Sequence, residues 1–315
     1  MRTMFVLAIL MLMPLGGCTA RRDAAPELLY HAAPDGFPSS VRLITTDFDS
    51  FASLSSAFFQ GIKAAAGDGP INILALSGGG SGGAYGAGVL VGLSRAHSRP
   101  RFELVTGVSP GALIAPFAFL VTNWDARLQK AFSGGRSGQL LDSLGWTLLA
   151  RLLFPLGLGD HSPLFELVNS YVTPEMINAV AREATGGRRL IVATTDLDKQ
   201  ETVLWDMGAI ALRGGKAARK LFRDVLIASA SVPGVFPPVV IHVHNGAVRY
   251  DELHVDGGVT TPVFITPMIA GIRPVGLSQL RGVNLYMIIN GQLAIRPGTT
   301  PVNTLDLLAS SFSQR

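Results

Sequence analysis

From Phe102 to Phe119 the chain reads FELVTGVSPGALIAPFAF. Its first seven residues are apolar and β-branched enough for a short strand, and its last eight form a small-residue apolar helix. Between them Gly107-Val108-Ser109-Pro110-Gly111 has the pattern G-x-S-x-G. That spacing stands a serine on a tight strand-to-helix turn. The glycines let strand and helix approach, and the hydroxyl is pushed out at the carboxyl edge of a sheet. The helix start behind it favours negative charge there. Five residues are a weak pattern in a chain with 36 glycines, but the strand before and the helix after strengthen it. Pro110 has no N–H. If Ser109 is a nucleophile, the residue after it cannot donate to an oxyanion, and the donors must come from elsewhere in the chain.

A second glycine-rich turn lies upstream. Ile71 to Leu76, INILAL, reads as a buried parallel strand. It runs into Gly78-Gly79-Gly80-Ser81-Gly82-Gly83 and then a helix, a loop that exposes successive backbone N–H groups to an anion. Gly78, Gly80 and Gly83 fit the dinucleotide pattern G-x-G-x-x-G, but no acidic residue closes a strand about twenty residues on, and Glu103 opens one. A P-loop fails for lack of Gly-Lys-Ser/Thr. An oxyanion hole fits best, because Pro110 makes a separate hole necessary.

Composition sets the class. In 315 residues, 48% are hydrophobic and 15% charged, which argues for a globular protein with a large core and against disorder. The net charge of +4 comes without a dense Lys/Arg tract, so nucleic acid is not an expected partner. The one cysteine, Cys18, allows no intrachain disulfide. Before it stand Arg2, an apolar run from Met4 to Met13, Pro14 and Leu15-Gly16-Gly17. These are the parts of a secretory signal over residues 1–17, with an apolar run too short to span a bilayer. Leu15-Gly16-Gly17-Cys18 resembles the lipobox of bacterial lipoproteins, which implies a lipidated Cys18 anchoring the protein to a membrane of the cell envelope. Thr19 follows in place of Asp, so the resemblance leans to the outer membrane over the inner.

Residues 18–70 read as a tether followed by a helix over Phe51 to Ala66. Residues 71–270 are expected to form the main domain, completed over 271–315 by a strand at 283–290 and a helix at Val302 to Phe312. Residues 120–186 read as a cap, with an unusually apolar stretch from Leu140 to Leu158 and helices over Pro163 to Tyr171 and Pro174 to Glu183. Residues 189–195 are a buried strand, with Gln200 to Trp205 as its edge neighbour, and Ala217 to Ala230 is helical. The chain then passes through the rigid turn ASASVPGVFPP, from Ala228 to Pro238, and alternates from Val248 towards Asp256-Gly257-Gly258. An acid followed by two glycines leaves its carboxylate unshielded, unless it only shapes a turn.

Four blocks, LALSGGGSGGAYGAGVL, GVSPGAL, ASASVPGVFPP and VDGG, stand in this order between about Asn72 and Pro267. Together they resemble the patatin-like phospholipases, as does the strand around Ala193 to Leu197. The resemblance implies a three-layer α/β/α fold with a mostly parallel central sheet and, with the reading above, an apolar helical cap. It implies a lipid acyl hydrolase acting on phospholipid or other lipid esters, with Ser109 as nucleophile and Asp256 as general base. Gly78, Gly79 and Gly80 match the oxyanion hole, and Gly83, Gly107, Gly111, Gly257 and Gly258 are motif glycines. No catalytic histidine, metal or cofactor is implied. The sequence departs at Gly82, where the family usually carries Arg or Lys.

Within hydrolases the rival is a histidine triad, since His242, His244 and His254 all follow Ser109; they read as packed or surface side chains. Neither an HExxH pattern nor a cysteine cluster supports a metal, and no Asp/Glu cluster argues for calcium. The alternative from another class is a catalytically silent lipoprotein that binds lipid or a partner. Intact Ser109 and Asp256 favour the enzyme, and Gly82 favours the silent form.

Overall fold

The computed structural model describes residues 31–45, 58–132, 162–261 and 282–291. Among them nine strands form one sheet. They are β1 (Ala33–Pro34), β2 (Arg42–Ile44), β3 (Ile71–Leu76), β4 (Leu104–Gly107), β5 (Arg189–Asp196), β6 (Glu201–Asp206), β7 (Val239–Asn245), β8 (Val248–Asp256) and β9 (Val283–Ile288). The helices are α1 (Gly83–Arg95), α2 (Pro110–Leu120), α3 (Asp125–Phe132), α4 (Pro163–Tyr171), α5 (Pro174–Thr185), α6 (Met207–Arg213) and α7 (Gly215–Ser229). Residues 58–66 are also helical.

The centre of the sheet, β9-β3-β4-β5, is parallel. Antiparallel strands join it at β5: β8, with β7 and β1 beyond it, follows β4 along one edge, and β6, with β2 beyond it, takes the other. Successive residues of a strand face opposite sides, and in β4 and β5 both sides are buried. Leu74, Leu76, Val105, Leu190, Val192, Val203 and Trp205 enter the larger core, which α1 to α7 close. Ile73, Leu104, Ile191, Ala193 and Leu204 enter a smaller one, covered by Phe58, Phe59 and Ile62 of the helix at 58–66. The result is the expected α/β/α layering. Every residue of α2 is buried, which explains its small apolar composition.

Several boundaries differ from the sequence reading. Residues 33–34 and 42–44, read as tether from their composition, are strands of the sheet. β6 is no edge, because β2 pairs along its other side. A separate helix, α6, precedes α7. α4 and α5, read as part of a cap, pack into the larger core through Val168, Met176 and Val180, each fully buried. Both open with a proline behind a capping hydroxyl: Ser162 accepts from the Phe165 N–H and Thr173 from the Met176 N–H. Cys18, the stretch 140–158 and the helix expected at 302–312 lie outside the described residues.

Candidate active site

The site follows from how strands share the edges of β5. One edge is taken by β6 along its length, from Ile191 to Asp196. The other edge is shared in succession. β4 occupies it up to the pair Gly107 with Val192, and β8 from the pair Asp256 with Thr194. β4 runs parallel to β5 and β8 antiparallel, so their carboxyl ends meet head to head with Ala193 between them. Ser109 stands just past one end and Asp256 at the other.

Both side chains are buried, at 6% and 4% exposure, and Ser109 Oγ donates to Asp256 Oδ2 at 2.5 Å. The other carboxylate oxygen, Asp256 Oδ1, accepts from the Gly258 N–H at 2.7 Å. Burial pushes the Asp256 carboxyl up to about 6, against the Ser109 hydroxyl and the Gly258 N–H that pull it down. Ser109 has φ 55 and ψ −126, the left-handed region that side chains avoid. Its neighbours make this tolerable. A Cβ at Gly107 would lie 2.7 Å from the Ala112 Cα, and one at Gly111 would run into the Leu76 carbonyl. Both glycines are therefore required for α2 to pack this close to β3 and β4.

Two residues to which the sequence reading gave no role hold the pair. Ser229 Oγ accepts from the Ser109 N–H at 3.1 Å and donates to the Ala193 carbonyl at 2.7 Å. The Asp256 N–H donates to the Ser231 carbonyl at 3.0 Å. The turn after α7 thus grips both candidate catalytic residues. The motif ASASVPG contains these serines, but nothing local in it names their remote partners.

β3 lies beside β4, and its loop opens at the same sheet edge. The glycine loop turns through a short 3₁₀ segment, Gly80–Gly82, into α1. It abuts the serine turn, since a Cβ at Gly83 would lie 2.8 Å from the Pro110 Cβ. Among the described residues, the N–H groups of Gly78, Gly79 and Gly80 have no acceptor, as an oxyanion hole requires. With the Ser109 N–H taken by Ser229 and Pro110 lacking one, this loop is the available source of donors. At Gly82, a Cβ would fall inside the Asn290 carbonyl group, so no side chain fits there in this arrangement.

Of the three histidines weighed for a triad, none is placed in a contact with Ser109 among the described residues. His242 is exposed and pairs with Asp251 at 2.6 Å. His254 is buried, with Nε2 3.2 Å from Glu252 Oε2 and Nδ1 3.0 Å from Thr194 Oγ1. His244 sits on β7 opposite Arg249. Among the described residues, the carboxylate of Asp256 meets Ser109 and Gly258, and no histidine.

The sequence shows no acidic cluster, yet the fold builds a mixed one. Asp196, Glu252 and His254 bring three ligand atoms within 4.8 Å of one another. The Glu252 oxygens are already engaged: Oε2 by Arg42 Nη1 and His254, and Oε1 by Lys199 Nζ at 2.6 Å and Arg42 Nη2 at 3.1 Å. Burial works to raise the Glu252 carboxyl, but the His254 hydrogen bond and the Arg42 guanidinium hold it far below the usual carboxylate range. Two cations already compensate the carboxylates, so this is a buried ion network and a poor metal cage.

A family model described as patatin-like phospholipase matches residues 74–269. Among solved structures the chain is similar to the crystal structure of VipD from Legionella pneumophila, at 13% identity and a TM-score of 0.34. That match covers 77% of this chain and 52% of VipD, about half its length. No curated protein matches the chain.

Proposed function

The chain belongs to the patatin-like phospholipase family, and from that premise we propose that it is a lipid acyl hydrolase working through a Ser109–Asp256 dyad. The observation that carries the reading is the 2.5 Å contact between Ser109 Oγ and Asp256 Oδ2 in a buried site. Asp256 takes the Ser109 proton as Oγ attacks an ester carbonyl. The N–H groups of Gly79 and Gly80 hold the tetrahedral oxyanion, each such donor being worth about 3–4 kcal/mol. The C–O bond breaks, the alcohol leaves with the proton, and the acyl group stays on Ser109. Water, deprotonated by Asp256, then attacks the acyl-enzyme and releases the fatty acid. An aspartate is a weak base at its ordinary value of about 4. Burial, by lifting Asp256 to about 6, makes it a better one. The substrates of this reading are phospholipids or other lipid esters, and a lipidated Cys18 would hold the enzyme at an envelope membrane, with the outer membrane favoured.

The second reading, a silent lipid- or partner-binding lipoprotein, is favoured by Gly82. The position has no basic side chain, and the Asn290 carbonyl takes up its space.

One experiment separates them. Fatty-acid release from mixed phospholipid vesicles and hydrolysis of a short-chain aryl ester are compared for the parent, Ser109→Ala and Asp256→Ala. The expected outcome is cleavage of both by the parent and loss of at least about a thousandfold in each folded variant. Cleavage of the aryl ester alone would make it an esterase. If the parent cleaves neither and a fluorophosphonate leaves Ser109 unlabelled, the silent reading takes over. In cells, Cys18→Ser should move the protein from the membrane to the soluble fraction, and unchanged membrane association would sink the anchor.

A further inference from the structure

Three glycines of the loop and the helix after it are shaped around one residue from the far end of the chain. A Cβ at Gly79 would collide with the Asn290 carbonyl carbon, one at Gly82 with its carbonyl oxygen, and one at Gly86 with its side-chain oxygen. Asn290 follows β9, which pairs with β3 in register from Ile71 with Val283 to Leu76 with Ile288. It is buried at 6% exposure. Its contacts converge on the residue that opens the glycine loop. Asn290 N–H donates to Ser77 Oγ at 2.8 Å, and Asn290 Nδ2 donates to the Ser77 carbonyl at 2.7 Å. Ser77 Oγ in turn donates to the Gly78 carbonyl at 2.6 Å.

The Gly78 carbonyl and the Gly79 N–H belong to one planar trans peptide and point to opposite sides of it. A hydroxyl that fixes the carbonyl therefore also aims the N–H. The Gly79 N–H is one of the donors without an acceptor among the described residues. The amide of Asn290 is also poorly explained by packing. Its Oδ1 is buried without a hydrogen-bond partner among the described residues, a cost that an apolar side chain of similar size would avoid. What the amide supplies is its Nδ2 donor to the Ser77 carbonyl.

We propose that Asn290 and Ser77 are positioning residues for the oxyanion hole, forming a relay from the end of β9 through the Ser77 hydroxyl to the Gly78–Gly79 peptide. The proposal rests on the hydrolase reading above. It makes β9 and the residues after it part of the active site's support.

The test uses the full chain, with Ser77→Ala to remove the hydroxyl and Asn290→Asp to replace the Nδ2 donor with an acceptor. Active sites are titrated to completion with a fluorophosphonate, and kcat and KM for a short-chain aryl ester are taken per titrated site. Losing one oxyanion donor costs about 10²–10³-fold in kcat. A misaimed donor should therefore lower kcat per site by about 10²-fold, with KM within about twofold and the labelling rate falling in parallel. Ser77→Thr, which keeps the hydroxyl, should recover most of it. If both variants lose melting temperature and labelled fraction while kcat per site stays at the parent's value, the residues are only structural and the proposal is overturned. Because only folded, labelled enzyme is counted, the comparison survives a large loss of stability. A parent that neither hydrolyses the ester nor labels at Ser109 would sink the hydrolase reading itself, and this proposal with it.

Discussion

At Asp256 two demands oppose each other. A general base must be ionised, yet burial raises this carboxyl to about 6, from an ordinary value near 4. The rate side is direct: kcat/KM should climb with pH and reach half its plateau near 6, as measured on the aryl ester. The stability side has the opposite sign. A group whose folded value is raised contributes stability below its unfolded value, and that contribution is lost as pH rises through the folded one. At pH 8 an ionised Asp256 therefore costs the folded state about 3 kcal/mol, because each tenfold weakening of an acid on folding is worth about 1.4 kcal/mol. Asp256→Asn should be inactive and yet melt higher than the parent at pH 8, with the gain shrinking towards pH 4. A variant that melts lower than the parent at both pH values would show that the charge is not under strain. On this reading stability is given up at the proposed general base.

Among the elements, the turn that ends α7 connects the two halves of the proposed dyad. Ser229 Oγ, fully buried, bridges the Ser109 N–H and the Ala193 carbonyl, while the Ser231 carbonyl receives the Asp256 N–H. Ser229→Ala would leave a buried N–H and a buried carbonyl without that partner, at about 1–3 kcal/mol. It would also release the strained turn at Ser109. Urea unfolding should show the stability loss, and kcat should fall by at least about tenfold, since small displacements of a nucleophile are costly. An unchanged kcat would mean that Gly107 and Gly111 alone hold the serine. The elements themselves were readable from periodicity. α4 begins and ends where its N-terminal proline and apolar spacing predict, and the strand-turn-helix at Ser109 stands as read. α6 was missed because seven residues, Met207–Arg213, carry too few turns for a periodic signal. β1 and β2 were missed because strands of two and three residues have no period at all.

Across the whole molecule, the head-to-head meeting of β4 and β8 on β5 is backed by the ion network behind it. Arg42 of β2 reaches Glu252 of β8, and its Nε donates to the Ala32 carbonyl at 2.8 Å, so the stretch before β3 is tied to the strand that ends in Asp256. Lys199, from the turn between β5 and β6, joins the same carboxylate. A carboxyl held below its usual range contributes stability above its unfolded value of about 4.3, and that is lost as pH falls. Thermal melts should therefore fall progressively as pH drops below about 4. Arg42→Met removes one partner and leaves the buried Glu252 undercompensated. It should cost about 3–5 kcal/mol at pH 7. The deficit should narrow at low pH, where Glu252 can take a proton. A deficit that stays constant with pH would assign the loss to packing.

By itself the sequence determined what short-range chemistry can encode. The order of the longer strands and helices follows from apolar period, the two tight turns from glycines at fixed offsets, and the candidate nucleophile, base and loop from local motifs and the family resemblance they carry. The glycines at 107 and 111 were read as permitting close approach, and each does meet backbone that a Cβ would strike. The tertiary structure alone decided which remote groups complete those motifs. Ser109 and Asp256 are 147 residues apart, and Ser77 and Asn290 are 213 apart. Ser229 sits in the ASASVPG block, which does not name its partners, and Asn290 carries no local pattern that sets it apart from other buried polar residues. Their partners are fixed by the edge of β5 that β4 and β8 share and by the register of β9 against β3. Strand register is set by the burial of whole faces, so no single residue announces it. The same holds for Gly82, where the sequence shows a missing side chain and only the fold shows the Asn290 carbonyl occupying its place.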